Sequence, residues 1–330
     1  MLKFFRDKDQ LSIVLISIVT LIFWYLDLRS GVAFPAVDTR ENSGPLGIFL
    51  INILKNTPFF YNALCYILLI TVAFLLVRLN TKFILTIRRT QLPALFFVIC
   101  LAGFTNLTTI LLPLIACLFF CIALDRMFSS YKKGRLAYNF FDASLLITLG
   151  SFFYAPAFLF NLIVFFGLSR LRPINWREWM LSILGILVPF FIYHSIVFLT
   201  EMTTNFSIIN RIAFTSDFFF PWNSLISYFF LALLCLLLII SSVDIATGFQ
   251  LKKIIARKVY IILFGNFILS VFLFFIIKNI ESGILIFTAA SLGYLFSHYF
   301  ALIRFNWFRE IVFNLLLLLV LAKKLLPLIM

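Results

Sequence analysis

The side chains of this sequence best suited to chemistry lie between Asp27 and Pro58. Asp38 and Glu41 stand three apart with Arg40 between them, in a stretch rich in Gly, Pro and Ser. A carboxylate in such a loop can act as general base toward an acceptor hydroxyl, or hold a divalent metal at a pyrophosphate. Arg40 can meet a phosphate with its planar fork of donors. The plainer alternative is a solvated loop in which Arg and carboxylate pair. Asp27 stands at the end of the preceding apolar run, where simple pairing with Arg29 is the corresponding alternative. A second polar stretch holds Glu201, Arg211 and Asp217, then Phe218 to Asn223 with Trp222 inside it. Rings beside carboxylates suit a sugar or a lipid headgroup, although aromatic belts at the membrane interface give the same pattern.

Two histidines complete the ionisable set. His194 and His298 each sit in an apolar run, and ionisable groups in such runs tend to serve function. By the predicted topology His194 lies near the outer end of its span and His298 in the inner half of its own, on opposite sides of the membrane, so no His-based metal motif arises. Cys65, Cys100, Cys117, Cys121 and Cys235 all lie in apolar runs. Cys117 and Cys121 share a helix face, but no His or acid stands at ligand spacing, so they read as small buried residues. The sequence contains no Walker motif, GxSxG or HExxH, which argues against ATP-driven or nicotinamide chemistry within this chain.

The elements that must position these groups follow from composition. Of 330 residues, 63% are hydrophobic and only 12% charged, with a mean hydropathy of +1.11. A soluble domain carries about twice that charged fraction. In lipid the backbone is satisfied only by helices or a closed barrel. The apolar runs are continuous rather than alternating, so the expectation is an all-α, polytopic transmembrane helix bundle. A net charge of +14 raises the question of nucleic acid. The basic residues, however, form short clusters between apolar runs, as positive-inside signals and lipid-headgroup contacts do, and nucleic acid is set aside as a partner.

Taken in order, the predicted spans are Leu11 to Leu26, Phe59 to Val77, Leu92 to Phe104, Ile110 to Leu124, Ala143 to Tyr154 and Phe158 to Ser169. Met180 to Leu199, Ser224 to Ile240, Val259 to Ile277, Gly283 to Ile303 and Ile311 to Leu321 follow. Leu46 to Leu54 is too short to span and reads as interfacial or re-entrant. The two central hairpins have arms shorter than the ~20 residues a crossing needs, so they either extend into their polar flanks or stop short around a cavity. The first apolar run lacks a small-x-small cleavage site and is expected to stay as a span. Eleven spans put 20 Lys and Arg inside and five outside, with the N-terminus in the cytoplasm. Two segments, Arg172 to Glu178 and Arg304 to Glu310, echo each other with Asn, Trp, Arg and Glu ahead of a span. They read as a cap, an interface anchor and a pair for phosphate or Glu.

The order of these features resembles the membrane-embedded GT-C glycosyltransferases. The parts that carry the resemblance are Asp27 to Pro58, Thr105 to Asp125 and Ala143 to Arg170. The resemblance covers about residues 1–200, with 201–330 an outer loop and a four-helix extension of one membrane domain. It implies a transferase that takes a polyprenyl-phosphate-linked sugar at the outer leaflet of a bacterial inner membrane. Asp38 would then be the catalytic carboxylate and Glu41 its understudy. Arg40, Arg211, His194 and Trp222 would be the substrate-binding residues, and membrane lipids or other membrane subunits the partners. The whole chain also resembles an uncharacterised family of polytopic bacterial inner-membrane proteins. Two other readings stand beside the enzyme: a non-enzymatic membrane subunit or scaffold, and a transporter or flippase.

The charge bias makes a direct prediction. Reporter fusions at Ser129, Ile174 and Ala246 should report cytoplasm, and fusions at Ser43 and at the C-terminus should report the outside. A cytoplasmic C-terminal reporter would refute the eleven-span count.

Overall fold

A computed structural model describes residues 10–29, 42–86, 90–107, 109–131, 138–173, 175–199, 225–277, 282–301 and 307–329. Within them the chain forms twelve α-helices and no β-strand. They are α1 (Gln10–Arg29), α2 (Pro45–Leu54), α3 (Pro58–Phe83), α4 (Leu92–Phe104), α5 (Leu111–Ser129), α6 (Tyr138–Ser151), α7 (Asn161–Leu171), α8 (Trp176–Leu199), α9 (Leu225–Thr247), α10 (Ile254–Ile276), α11 (Leu285–Ala301) and α12 (Trp307–Ile329). Each predicted span falls on one of these helices, and the run Leu46 to Leu54 is α2. Six of them, α1, α3, α5, α8, α9 and α10, are long and apolar enough to cross a membrane by length and composition.

The short helices have a different use. All 13 residues of α4 are buried, as are all 17 of α11, and the two pack along each other. A Cβ on Gly293 would lie 2.8 Å from the Pro93 carbonyl, so the absence of a side chain there permits the close approach. Phe96 meets the rings of Phe296, Phe300 and Phe313 at centroid distances of 5.9, 4.8 and 6.0 Å. A helix enclosed by other helices need not match the bilayer thickness, provided protein groups satisfy its ends. At one end of α4, Asn80 donates to the Thr90 carbonyl at 3.2 Å. At the other, Lys324 donates to the Thr105 carbonyl at 2.7 Å.

Three of the four arms of the central hairpins, α4, α6 and α7, are therefore too short for a full crossing while α5 is long enough, and the space at the turns is largely filled. Thr105 is 4% exposed and Ala155 is fully buried. The α6–α7 turn is covered by the segment that leads into α2. Gly44 donates to the Phe153 carbonyl at 3.0 Å, Leu46 and Gly47 to that of Phe152, and Ala155 to that of Asn42 at 2.9 Å. Ser43 and Tyr154 form an isolated antiparallel bridge. Pro45 then starts α2 at a position where its missing N–H costs nothing.

Polar groups inside the bundle are bonded between elements. Asn266 donates to the Phe287 carbonyl and to Ser291, and Asn161 to Thr148. Asn106 and Asn314, by contrast, are exposed. Arg172 pairs with Glu178 and also donates to the Ser130 carbonyl at 3.0 Å, so this Arg takes the protein partner rather than relying on lipid phosphate. Trp176 and Trp307, the anchors of the two echoed segments, are both exposed.

The covered turn depends on the absence of a side chain at Gly44, where a Cβ would sit 2.0 Å from the Phe152 carbonyl oxygen. Gly44→Ala is expected to lower stability by about 1–3 kcal/mol, the scale of overpacking. Gly248→Ala, whose Cβ would meet only ordinary contact at 3.4 Å, should stay within about 0.5 kcal/mol. Unfolding in detergent measures both, and equal stability of the two variants would refute the close-approach account.

Candidate functional site

Asp38, Arg40, Glu41, Arg211 and Trp222 lie outside the described residues. Their surroundings are partly described. The loop that bears Asp38 and Glu41 leaves α1 at Arg29 and lands at Asn42 on the α6–α7 turn. His194 lies on α8, exposed, with its ring edge-on to Tyr193 at 5.5 Å. Many residues of α8, among them Phe191, Phe198 and Leu199, are exposed as a lipid-facing helix requires. Among the described residues, no three His, Cys, Asp or Glu side chains gather to hold a metal ion.

At the end of the bundle where α1 stops, the structure shows a group that sequence reading missed. Asp27, 2% exposed, pairs with Lys324, 5% exposed, at 2.7 Å. The same carboxylate accepts the Leu107 N–H at 2.7 Å. Lys324 also donates to the Thr105 carbonyl, and Lys323 donates to that of Gly103 at 2.5 Å. The Cys65 thiol donates to the Leu107 carbonyl at 2.9 Å. Asp27 thus takes a lysine from the last helix, while Arg29 is exposed. The signal was present: a lone acid closes the first apolar run and two lysines interrupt the last.

Beside this cluster an apolar cleft of about 280 Å³ opens between α4, α9, α10 and α11. Phe104, Leu234, Cys235, Phe267, Phe274 and Leu285 are among its walls. Phe104 lies between Gly103 and Thr105, whose carbonyls hold Lys323 and Lys324. The cleft therefore has apolar walls and a cationic neighbour at one end.

The opposite end of the bundle lies along α3, whose length is about 39 Å at 1.5 Å per residue. There Asp244 of α9 and His298 of α11 approach each other at 3.3 Å. The Lys252 ammonium lies 4.2 Å from the centroid of the Tyr260 ring. Sequence reading placed both His298 and the Asp244 segment on the inner side but sought only a metal motif there. An acid and a histidine at the same end of two different runs were the available signal.

Breaking the Asp27–Lys324 pair from one side should be costly, because it leaves a buried charge uncompensated. Lys324→Met and Asp27→Asn are each expected to lose about 3–5 kcal/mol, and the double variant Asp27→Leu/Lys324→Leu to recover most of that loss. A double-mutant cycle by unfolding in detergent measures the coupling. Losses that simply add would show that the two side chains do not act on each other.

No curated protein and no solved structure matches the chain. Residues 44–328 match the model of a family of unknown function, DUF6427. That span takes in α2 to α11 and α12 as far as residue 328, with the Asp244–His298 pair and with Lys323 and Lys324, while Asp27 lies before it. The chain therefore belongs to the family DUF6427.

Proposed function

We propose that this is an integral membrane protein that takes a polyprenyl-phosphate-linked sugar at the end of the bundle carrying Asp27 and Lys324, which the charge bias assigns to the outer side. The observation that carries the reading is the apolar cleft beside Phe104, with Lys323 and Lys324 held on the two neighbouring carbonyls. An isoprenoid chain lying in the cleft would bring its phosphate toward the lysine end. The loop bearing Asp38 and Glu41 starts two residues beyond Asp27 and is fastened at Asn42, so its reach is limited to this same end.

In this reading Asp38 accepts the proton of an acceptor hydroxyl as that oxygen forms its bond to the sugar's anomeric carbon. The bond from that carbon to the phosphate oxygen breaks, and polyprenyl phosphate leaves with the negative charge. Arg40 or Arg211 meets that charge, Glu41 is the second carboxylate, and His194 and Trp222 line the sugar's path. A second reading, a non-enzymatic membrane subunit, is favoured by one observation. The Asp27–Lys324 cluster is bonded and the hairpin turns are buried, as in a bundle filled for support.

Asp38→Asn removes the base while keeping size. The variant is expected to insert and fold normally and to lose at least about 10²-fold in sugar transfer, the scale of a general base. Complementation at matched expression measures it, alongside photolabelling of α9 and α10 by a benzophenone-bearing polyprenyl phosphate. Full rescue by both Asp38→Asn and Glu41→Gln would support the subunit reading instead, as would absence of labelling in the cleft.

A further inference from the structure

At the end of the bundle away from Asp27, a cavity of about 330 Å³ is walled by Leu85, Thr86, Asp244, Lys252, Ala256 and His298. It opens past Ile84, Thr247 and Lys253, all exposed. His298 is 3% exposed, and neither ring nitrogen makes a hydrogen bond among the described residues. The facing Asp244 Oδ2, at 3.3 Å from Nδ1, likewise has no hydrogen bond of good geometry, nor has the Lys252 ammonium. Three polar side chains from α9, α11 and the α9–α10 connection thus line one cavity with their bonding capacity unused. Buried polar groups in native proteins are bonded as a rule, and each orphan costs about 1–3 kcal/mol. Other buried atoms of the chain, Trp24 Nε1, Trp179 Nε1 and Asn266 Oδ1 among them, also lack a hydrogen bond among the described residues, but here four such atoms from three side chains border one cavity. That concentration at one cavity points to something that binds there.

The chemistry of the three groups limits what it can be. Lys252 needs an acceptor, and its ammonium stands over the Tyr260 ring, which holds it in place. Burial pushes this ammonium down to about 8 while Asp244 pulls it back up, so it is still mainly charged at neutral pH. Lys253 at the mouth and Arg309, stacked on Tyr299 and acting on Asp244, add positive charge. An anion is therefore favoured at Lys252. Asp244 would repel a bare anionic oxygen and needs a donor. With Nδ1–H turned to Asp244, His298 Nε2 also needs a donor. A simple anion meets only half of this set. An anion that also carries two hydroxyls, each with one proton to donate, meets all of it.

We propose that this cavity binds a phosphate ester carrying two neighbouring hydroxyls, of the phosphoglycerol type, with the phosphate on Lys252 and Lys253, one hydroxyl donating to Asp244 and the other to His298 Nε2. A lipid headgroup at the membrane surface and a soluble polyol phosphate both present this chemistry. The proposal is independent of the transferase reading, which concerns the other end of the bundle.

Full-length protein in detergent, titrated with glycerol 3-phosphate, tests it by calorimetry. Saturable binding near or below about 1 mM is expected, weakened about tenfold or more in Lys252→Met and, separately, in Asp244→Asn. Inorganic phosphate and glycerol, each lacking half of the ligand, should bind at least about tenfold more weakly. Absence of saturable binding, as for a cavity that holds water only, overturns the proposal. So does binding that both variants keep unchanged. If a variant does not fold, amine-reactive labelling of Lys252 in the unaltered protein serves in its place. Protection by glycerol 3-phosphate supports the site and lack of protection overturns it. Protection in phosphatidylglycerol nanodiscs without added ligand assigns the lipid source. Protection only by glycerol 3-phosphate in phosphatidylcholine nanodiscs assigns the soluble one.

Discussion

The fold depends on one ion pair placed where water cannot help it. Asp27 closes the first helix and Lys324 lies near the end of the last, so their contact joins two segments 297 residues apart. Charges in an apolar bundle are expensive and survive only when paired and hydrogen-bonded. Here the pair does more than satisfy itself. It supplies an acceptor to the Leu107 N–H and a donor to the Thr105 carbonyl. Those are backbone groups of the α4–α5 turn, contributed by two buried residues that flank the exposed Asn106. The ion pair is therefore the reason α4 can end after 13 residues.

That early end has consequences for the whole architecture. A helix of 13 residues is about 20 Å long, too short for a ~30 Å hydrocarbon core. Placed among longer helices it becomes core, and α11 lies beside it in the same condition. Around these two, the longer helices carry the lipid-facing surface, and α8 carries a large share of it. Packing of α4 against α11 rests on Phe rings and on one glycine facing a carbonyl, which is how helices associate when lipid offers no hydrophobic drive. The high Phe content of the chain thus has a structural use in the interior.

Helix content and element order were legible in the sequence because both follow from the length of apolar runs and from punctuation by charge. Leu46 to Leu54, read as interfacial from its length, is a helix of its own. What was not legible is which runs lie inside others. Hydropathy reports how apolar a segment is, and lipid and a helical neighbour are equally apolar surroundings. The short arms of the hairpins therefore looked like incomplete spans when α4 is in fact core. Long-range pairing was hidden for a related reason. Asp27 and Lys324 show only as isolated charges in separate runs, and nothing local to either names the other. The same holds for Asp244 and His298. The candidate loop residues Asp38, Arg40 and Glu41 stood out because they were close in sequence, a criterion that favours loops over sites assembled from distant helices.

The two ends of the bundle can be set against each other on this ground. At the Asp27 end, the buried charges Asp27 and Lys324 have partners, and Thr105, Leu107 and Ala155 in the turns beside them are buried. Such an arrangement resists change and is poorly suited to exchanging a ligand with those same groups, so chemistry at this end has to come from the loop and the cleft next to the lock. At the Asp244 end, a buried histidine, a carboxylate and an ammonium face a cavity without hydrogen bonds to one another. Groups that are already satisfied contribute to stability, while groups held unsatisfied keep their capacity for a ligand. The polar cluster that holds the protein together and the one best prepared to bind are thus different clusters, separated by the length of α3.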